Sequence, residues 1–207
     1  MNVALACVGG FLCGSIPFGF LIGKLFYGID IRKSGSGNIG AANALRTMGK
    51  AGAGVVLFLD AAKGFAPVFV VLHTLAMVPA GAAAVGCATV IGHVFSPWLG
   101  WRGGKGVATS IGVIIALSWI AGIICIGAWV VGAVGTGYSS VGSLAANIVA
   151  PLALWLVTRE VAFAAYGIFA AAFIPFTHRE NIVRLRRGRE NRLPLWRDRA
   201  STRANWP

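Results

Sequence analysis

Residues 106–136, GVATSIGVIIALSWIAGIICIGAWVVGAVGT, contain no charged side chain and are apolar at nearly every position. The stretch is too long for a single membrane helix, which needs about 20 apolar residues. We divide it near residues 119–121 into two segments, 106–119 and 120–136, although one continuous helix is also compatible with the pattern. This division decides how many helices the chain forms.

The remainder of the chain has the same apolar character. Of the 207 residues of the whole chain, 57% are hydrophobic and 12% are charged, whereas a soluble domain carries about 25% charged residues. Five further apolar segments are found at 3–27, 52–72, 79–97, 141–157 and 161–177. The sequence therefore predicts an all-α integral membrane protein, a bundle of seven transmembrane helices.

The positive charges predict the orientation of this bundle. They are concentrated at residues 32–50, at residues 102–105 and after residue 178, where nine arginines follow the last apolar segment. The alternate connections carry only Arg159 and Glu160. Because positively charged loops stay in the cytoplasm, we expect the N-terminus outside and the C-terminus in the cytoplasm.

The organisation is that of one membrane-embedded domain, residues 1–192, followed by a basic cytoplasmic tail, residues 193–207. Basic segments beside a membrane helix bind anionic lipid headgroups. We therefore interpret the tail as a contact with membrane lipid, and we expect no nucleic-acid partner. The oligomeric state is not predicted.

Two glycine-rich loops interrupt the apolar chain on the same predicted side. The first is RKSGSGNIGAANALR at residues 32–46, and the second contains RGGKG at residues 102–106. Successive main-chain N–H groups in such loops form concave anion sites, especially before a helix. Together with the neighbouring cations they suggest phosphate binding, although either loop alone is also typical of a plain connection between helices.

Other polar side chains offer weaker signals. His178 and Asn181 are spaced to share one helical face, and an interfacial histidine without a role is equally compatible with that spacing. Asp60 and Lys63 lie three apart within a membrane segment, where we favour a mutual ion pair over direct chemistry. His93 is interpreted as a packing residue at a helix end. The cysteines show no metal-binding spacing, so we expect neither a metal nor a cofactor.

Several motifs resemble the acyl-phosphate:glycerol-3-phosphate acyltransferase family of bacterial inner membranes. They are GSIPFGFLIGK at 14–24, SGSGNIGAANALR at 34–46, LDAAKG at 59–64, GHVFSPWLGWRGGKGVAT at 92–109 and HRENIVRLRRGRE at 178–190. They occur in the family's order over nearly the whole chain. Ala41 and Ala42 precede Asn43 where family members often have threonine, and the tail beyond Arg192 has no counterpart.

The resemblance implies a seven-helix enzyme of the inner membrane with its active site facing the cytoplasm. Such an enzyme transfers a fatty acyl group from acyl phosphate to the 1-hydroxyl of glycerol 3-phosphate. The products are lysophosphatidic acid and phosphate. Acyl-CoA and acyl carrier protein are not expected as donors.

The resemblance carries over to individual positions. It implies catalytic roles for Ser36, Arg46, Lys105, His178 and Asn181, and substrate binding by Ser143 and by the loop residues Gly37, Asn38, Ile39 and Gly40. We add Asn43 from the first loop and Gly103 and Gly104 from the second loop to the substrate-binding residues.

This chemistry suits the residues. An acyl phosphate is already activated, so the enzyme must chiefly hold two phosphate groups side by side, for which arginine and lysine are suited. We expect direct transfer without an acyl-enzyme, with His178 or a substrate phosphate taking the proton. Ser36 as a covalent nucleophile is the competing mechanism. A membrane transporter of a phosphorylated anion is the alternative function, because broken helices with glycine loops also occur in transporters.

Overall fold

The computed structural model describes residues 2–193, which form helices and connections and contain no strand. The ten α-helices are α1 Val3–Ser15, α2 Phe18–Tyr27, α3 Ala41–Thr47, α4 Gly49–Phe69, α5 Pro79–Val94, α6 Val107–Leu117, α7 Trp119–Thr136, α8 Ser139–Thr158, α9 Val161–Thr177 and α10 Arg179–Arg186. The predicted basic tail lies, from residue 194 onward, outside the described residues.

Five helical stretches in residues 2–193 are long and apolar enough to cross a membrane. They are Val3–Tyr27, Gly49–Thr74, Pro79–Leu99, Trp119–Thr136 and Ser139–Thr158. A sixth is obtained if α9 and α10, which are bent by 61°, count as one broken span. The all-helical membrane fold is thus confirmed, whereas the number of seven crossings and the orientation of the termini stay predictions.

Helix α6 keeps the number of spans below seven even when α9 and α10 are counted as one span. It corresponds to the predicted segment 106–119, but it has 11 residues and is therefore only about 16 Å long, against about 30 Å of hydrocarbon. The predicted boundary after it is confirmed, because α6 and α7 are separated at Ser118. That residue is extended, and its hydroxyl accepts the N–H of Ala121 at 3.3 Å to cap α7.

Glycines let α4 and α6 approach each other closely. A Cβ atom at Gly64 would overlap the main-chain oxygen of Thr109, and one at Gly112 would overlap that of Ala61. Small residues allow such backbone contact between helices in a membrane. The contact fixes the position of α6, and with it the loop that carries Lys105.

A break at Pro17 divides the first membrane span into α1 and α2. The ammonium group of Lys63 donates to the main-chain oxygen of Ile16 beside this break, at 2.6 Å. The same ammonium lies 2.8 Å from the carboxylate of Asp60, and both side chains are almost completely buried. The predicted ion pair is confirmed, and it also ties α4 to the broken first span.

Candidate active site

The first glycine loop, residues 34–40, is organised by the side chain of Asn43. Its Nδ2 donates to the main-chain oxygens of Ile31, Ser34 and Asn38 at 3.1, 3.0 and 2.8 Å. Its Oδ1 accepts the N–H of Ser36 at 2.8 Å. Asn43 was predicted to bind substrate, and it borders the same cavity as Lys105; its amide group is bonded to the loop and holds the loop's shape.

Glycine is required at position 35 of this loop. Gly35 has φ +61°, and a Cβ atom there would overlap Oδ1 of Asn43. The turn continues at Gly37, which has φ +72° and donates its N–H to Ser34 at 3.0 Å. These contacts leave fewer loop amides for an anion than the sequence suggested.

The second glycine loop differs more from the expectation of bare amides. The N–H of Gly103 donates to the main-chain oxygen of Val94 at 2.9 Å, and that of Gly104 donates to His93 at 3.1 Å. These two predicted substrate-binding residues do not line the cavity that Lys105 borders. Their observed role is close packing of the loop on the end of α5.

A cavity of about 590 Å³ brings together most of the predicted site residues. Those that border it are Ser36, Asn38, Gly40, Asn43, Arg46, Lys105, Ser143, His178 and Asn181. Gly37 and Ile39 are not among its lining residues, and the side chain of Ile39 is buried in a small apolar cluster with Ile31. Residues that are distant in sequence therefore meet at one polar site.

A hydrogen-bonded chain fixes the cationic side of this site. Lys105 Nζ donates to Oδ1 of Asn181, and Nδ2 of Asn181 donates to Glu190 at 2.6 Å. The guanidinium of Arg184 donates to the second oxygen of Glu190 at 2.7 Å. Sequence reasoning missed Arg184 and Glu190, both of which border the cavity. The charged run of residues 184–190 was the available signal.

The electrostatic surroundings disfavour the charge on Lys105. Burial, and next the positive charge of Arg184, lower the pKa of Lys105 below the usual lysine range, while Glu190 acts in the opposite direction. An anion in the cavity would relieve this unfavourable balance. The polar end is thus suited to a ligand with more than one negative charge.

His178 lies between α9 and α10 and is 3% exposed. Its Nδ1 is 2.9 Å from the main-chain oxygen of Ile174. Because a carbonyl oxygen only accepts, this contact places the proton of the neutral ring on Nδ1 and leaves Nε2 as an acceptor. The ring can therefore take a proton from a hydroxyl group in the cavity.

Three serines in the first turns of α8, Ser139, Ser140 and Ser143, also border the cavity. The hydroxyl of Ser143 donates to the main-chain oxygen of Ser139 at 2.8 Å. The hydroxyl of Ser140 is buried and has no hydrogen-bond partner within residues 2–193. Ser140 was not predicted to be a site residue. In the stretch SSVGS at residues 139–143, the sequence alone does not distinguish it from its neighbouring serines.

The other part of the cavity is apolar. It is lined from α4, α6 and α7 by Leu57, Ile111, Ile115, Ile126, Trp129 and Val130. Leu57 and Val130 are about half exposed on the surface of the helix bundle, so this part is open to its surroundings. The cavity thus joins a cationic end to an apolar groove.

No metal site is visible in the described part of the chain. Residues 2–193 contain no group of three or more His, Cys, Asp or Glu side chains placed to hold a metal ion. The carboxylates at the cavity, Asp60 and Glu190, are paired with cations. The site can bind anions, accept a proton and accommodate an apolar chain.

Known proteins share both the sequence and the fold. The family model described as glycerol-3-phosphate acyltransferase matches residues 4–188. A glycerol-3-phosphate acyltransferase of Myxococcus xanthus is 43% identical over 93% of this chain and 100% of its own. One of Synechococcus is 40% identical over 93% of this chain and 94% of its own.

Solved structures agree with these relatives. A crystal structure of PlsY, an integral membrane glycerol 3-phosphate acyltransferase in its glycerol 3-phosphate form, is 36% identical and has a TM-score of 0.89. The match covers 95% of this chain and 98% of that one. The lysophosphatidic acid form of PlsY has a TM-score of 0.87, over 93% of this chain and 96% of that one. The resemblance noted in the sequence is confirmed, and the chain belongs to the glycerol-3-phosphate acyltransferase family.

Proposed function

We propose that this protein transfers a fatty acyl group from acyl phosphate to the 1-hydroxyl of glycerol 3-phosphate, yielding lysophosphatidic acid and phosphate. The main support is the junction of a cationic end and an apolar groove within one cavity. An acyl phosphate has the same two parts, an apolar chain and a phosphate. The acceptor needs only the cationic end.

The cationic residues hold the two phosphates in this proposal. Arg46 and Lys105 bind phosphate oxygens, the guanidinium as a fork and the ammonium as a point charge. Asn181 orients the ammonium through its bond to Lys105. The acyl chain lies along α6, where Ile111 and Ile115 border the groove. This arrangement brings the acyl carbon beside the acceptor hydroxyl, which is the chief requirement for an activated donor.

The transfer is direct in this proposal. The acceptor's O1 forms a bond to the acyl carbon, the bond from that carbon to the phosphate oxygen breaks, and phosphate leaves with the electron pair. Nε2 of His178 takes the hydroxyl proton. An acyl-enzyme on Ser36 has no support among the described residues, since no histidine or carboxylate bonds its hydroxyl. The proton acceptor and the nucleophile are then different groups, one on the protein and one on the substrate.

We place the site at the cytoplasmic face of a bacterial inner membrane. The loops that carry Arg46 and Lys105 are the positively charged ones, which stay in the cytoplasm. Both phosphorylated substrates would reach the cationic end from that side, while the acyl chain enters from the lipid.

The function is tested by phosphate release from a defined acyl phosphate, with and without glycerol 3-phosphate, together with detection of lysophosphatidic acid. We expect release that depends on the acceptor. Lys105→Ala should lower kcat/KM by at least about 100-fold, or about 2.7 kcal/mol. The matched control is Lys50→Ala, since Lys50 is exposed and is not a cavity-lining residue.

Other outcomes would lead to other mechanisms. Acyl label that stays on the protein when the acceptor is omitted would replace direct transfer with an acyl-enzyme. If folded protein released no phosphate and instead moved glycerol 3-phosphate across vesicle membranes, the transporter alternative would replace the enzyme.

A further inference from the structure

His93, in the last turn of α5, supports the loop that carries Lys105. Its main-chain oxygen accepts the N–H of Gly104 at 3.1 Å, and the next carbonyl, that of Val94, accepts the N–H of Gly103 at 2.9 Å. Two successive peptide groups of the loop are therefore bonded to the end of α5. Lys105 is the next residue after this attachment.

The imidazole ring of His93 presses against the same loop. A Cβ atom at Gly104 would overlap Nε2 of the ring and would lie 2.8 Å from Cε1 and 3.1 Å from Cδ2. Only glycine fits at position 104 while the ring occupies this place. The ring therefore sets how closely the main chain before Lys105 approaches α5.

The opposite edge of the ring faces a buried ion pair. Nδ1 of His93 lies 3.7 Å from Oδ1 of Asp60, which is beyond hydrogen-bond distance. Asp60 is 1% exposed and pairs with Lys63 at 2.8 Å. The ring is thus confined between the Asp60–Lys63 pair on α4 and the main chain of Gly104.

The ring is a costly choice if its only purpose is to fill space. Within residues 2–193, Nδ1 of His93 has no hydrogen-bond partner, and the side chain is buried. A buried polar atom without a hydrogen-bond partner destabilises the fold, and an apolar side chain of similar size would avoid that loss. A role outside packing accounts for that cost.

We propose that His93 is a positioning residue for Lys105: its ring, confined by Asp60 and Lys63, fixes Gly104 and so directs the Lys105 ammonium into the cavity. The inference rests on the proposed binding of glycerol 3-phosphate by Lys105. A lysine side chain is flexible, so the place where its main chain starts decides where its charge can reach. Small displacements of such a group cost large factors in rate.

The first test reads the loop without any ligand. Amide hydrogen exchange of residues 102–106 is measured in purified wild type, His93→Ala and Gly104→Ala. We expect at least tenfold faster exchange at Gly103 and Gly104 in both variants. The matched control is Gly86→Ala on the same helix, whose methyl would lie 2.6 Å from Val113 and not near the loop; it should leave this exchange unchanged.

The second test uses the double variant His93→Ala/Gly104→Ala. Affinity for glycerol 3-phosphate is measured by calorimetry, and KM and kcat are measured beside the melting temperature. We expect about tenfold weaker affinity in His93→Ala and a larger loss in Gly104→Ala. The double variant should bind more tightly than Gly104→Ala, because removal of the ring makes room for the methyl group.

The outcomes separate positioning from general stability. Losses that add in the double variant, or a His93→Ala protein with unchanged exchange and unchanged affinity, would overturn the proposal. The proposal would also be overturned if Gly86→Ala and His93→Ala had equal melting temperatures and lost affinity for glycerol 3-phosphate to the same extent. Failure of the wild type to bind glycerol 3-phosphate would overturn the proposed function instead, and the exchange rates would still decide the position of the loop.

Discussion

Lys105 places a positively charged ammonium group in surroundings that disfavour its charge. Burial and Arg184 oppose its charge, and Glu190 partly offsets them. Its hydrogen bond to Asn181 holds it at the cavity. A dianion would stabilise the charged form of such a group, because its negative charges oppose the effects of burial and of Arg184.

This imbalance predicts a pH dependence. The pKa of Lys105 lies below the usual lysine value of 10.5, so its charge is complete below that lowered pKa and is lost as pH rises through it. We therefore expect kcat/KM for glycerol 3-phosphate to fall on the alkaline side before an exposed lysine would titrate. The pH profile of Lys105→Arg should lack this fall, because arginine stays charged. The same fall in both proteins would contradict the assignment.

Ser140 offers a second prediction for a single residue. Its buried hydroxyl has no partner in residues 2–193 and borders the cavity, so we expect it to bond a substrate oxygen. Ser140→Ala should raise KM for one substrate by about 5–10-fold, close to the worth of one hydrogen bond, without lowering the melting temperature. Thr158→Ala, which removes a hydroxyl from the same helix at a position that does not line the cavity, serves as the comparison. Unchanged KM values for both substrates would reject this role.

At the level of the element, the first glycine loop takes its shape from the residue that follows it in α3. One amide side chain, that of Asn43, bonds four main-chain groups of residues 31–38. The loop is therefore a preformed unit and does not need a ligand to define its path. Ser36 lies within this loop, and Arg46 lies in the helix α3 that follows it.

Removal of this amide should disorder the loop. We expect Asn43→Ala to accelerate hydrogen exchange of residues 34–40 and to lower the free energy of unfolding by at least about 2 kcal/mol, since several buried groups lose their partners. Activity should fall with it. Thr47→Ala, which removes only a bond to Asn43's own carbonyl within α3, is the matched control. Equal effects of the two changes would contradict the special role of the amide.

The elements show what local sequence can and cannot predict. The break between α6 and α7 was predictable, because the apolar run of residues 106–136 is longer than one membrane helix needs. The hydrogen bonds of the Gly103 and Gly104 amides were not predictable, because their acceptors on α5 lie nine and eleven residues earlier in the chain and become neighbours only through packing. Asn43 was recognised as a polar residue of the first loop region. Its partners are main-chain atoms, which every residue type has, so the sequence does not reveal them.

At the scale of the whole molecule, the number of membrane crossings decides whether the two termini lie on the same side or on opposite sides of the membrane. Within residues 2–193, five or six helical stretches are long enough to span, and α6 at about 16 Å completes a crossing only where the membrane is thin or the chain around it is shielded. The apolar segments were predictable because lipid imposes a length on each helix. The shortness of α6 was not, since its apolar sequence continues directly into α7.

Charge distribution predicts opposite sides for the two ends of the chain. An alkaline phosphatase fusion after residue 160 should be active in the periplasm, and a green fluorescent protein fusion after residue 193 should fluoresce in the cytoplasm. With the C-terminus in the cytoplasm, only an odd number of crossings places the N-terminus outside. Labelling of an Asn2→Cys variant from either side of the membrane reports the position of the N-terminus. Labelling of that cysteine from the cytoplasmic side alone would show an even number and would refute the predicted orientation.

The contact between Lys63 and the break at Pro17 has a consequence for how the protein is made. Lys63 and Ile16, whose carbonyl it contacts, lie 47 positions apart, so the first helix leaves the ribosome long before its partner on α4 exists. Until α4 arrives, the carbonyl of Ile16 has only the N–H of Phe18 within the first span as a donor, and it lacks the ammonium group of Lys63. The bent first span is therefore completed during insertion by a later segment, and the order of synthesis becomes an order of assembly.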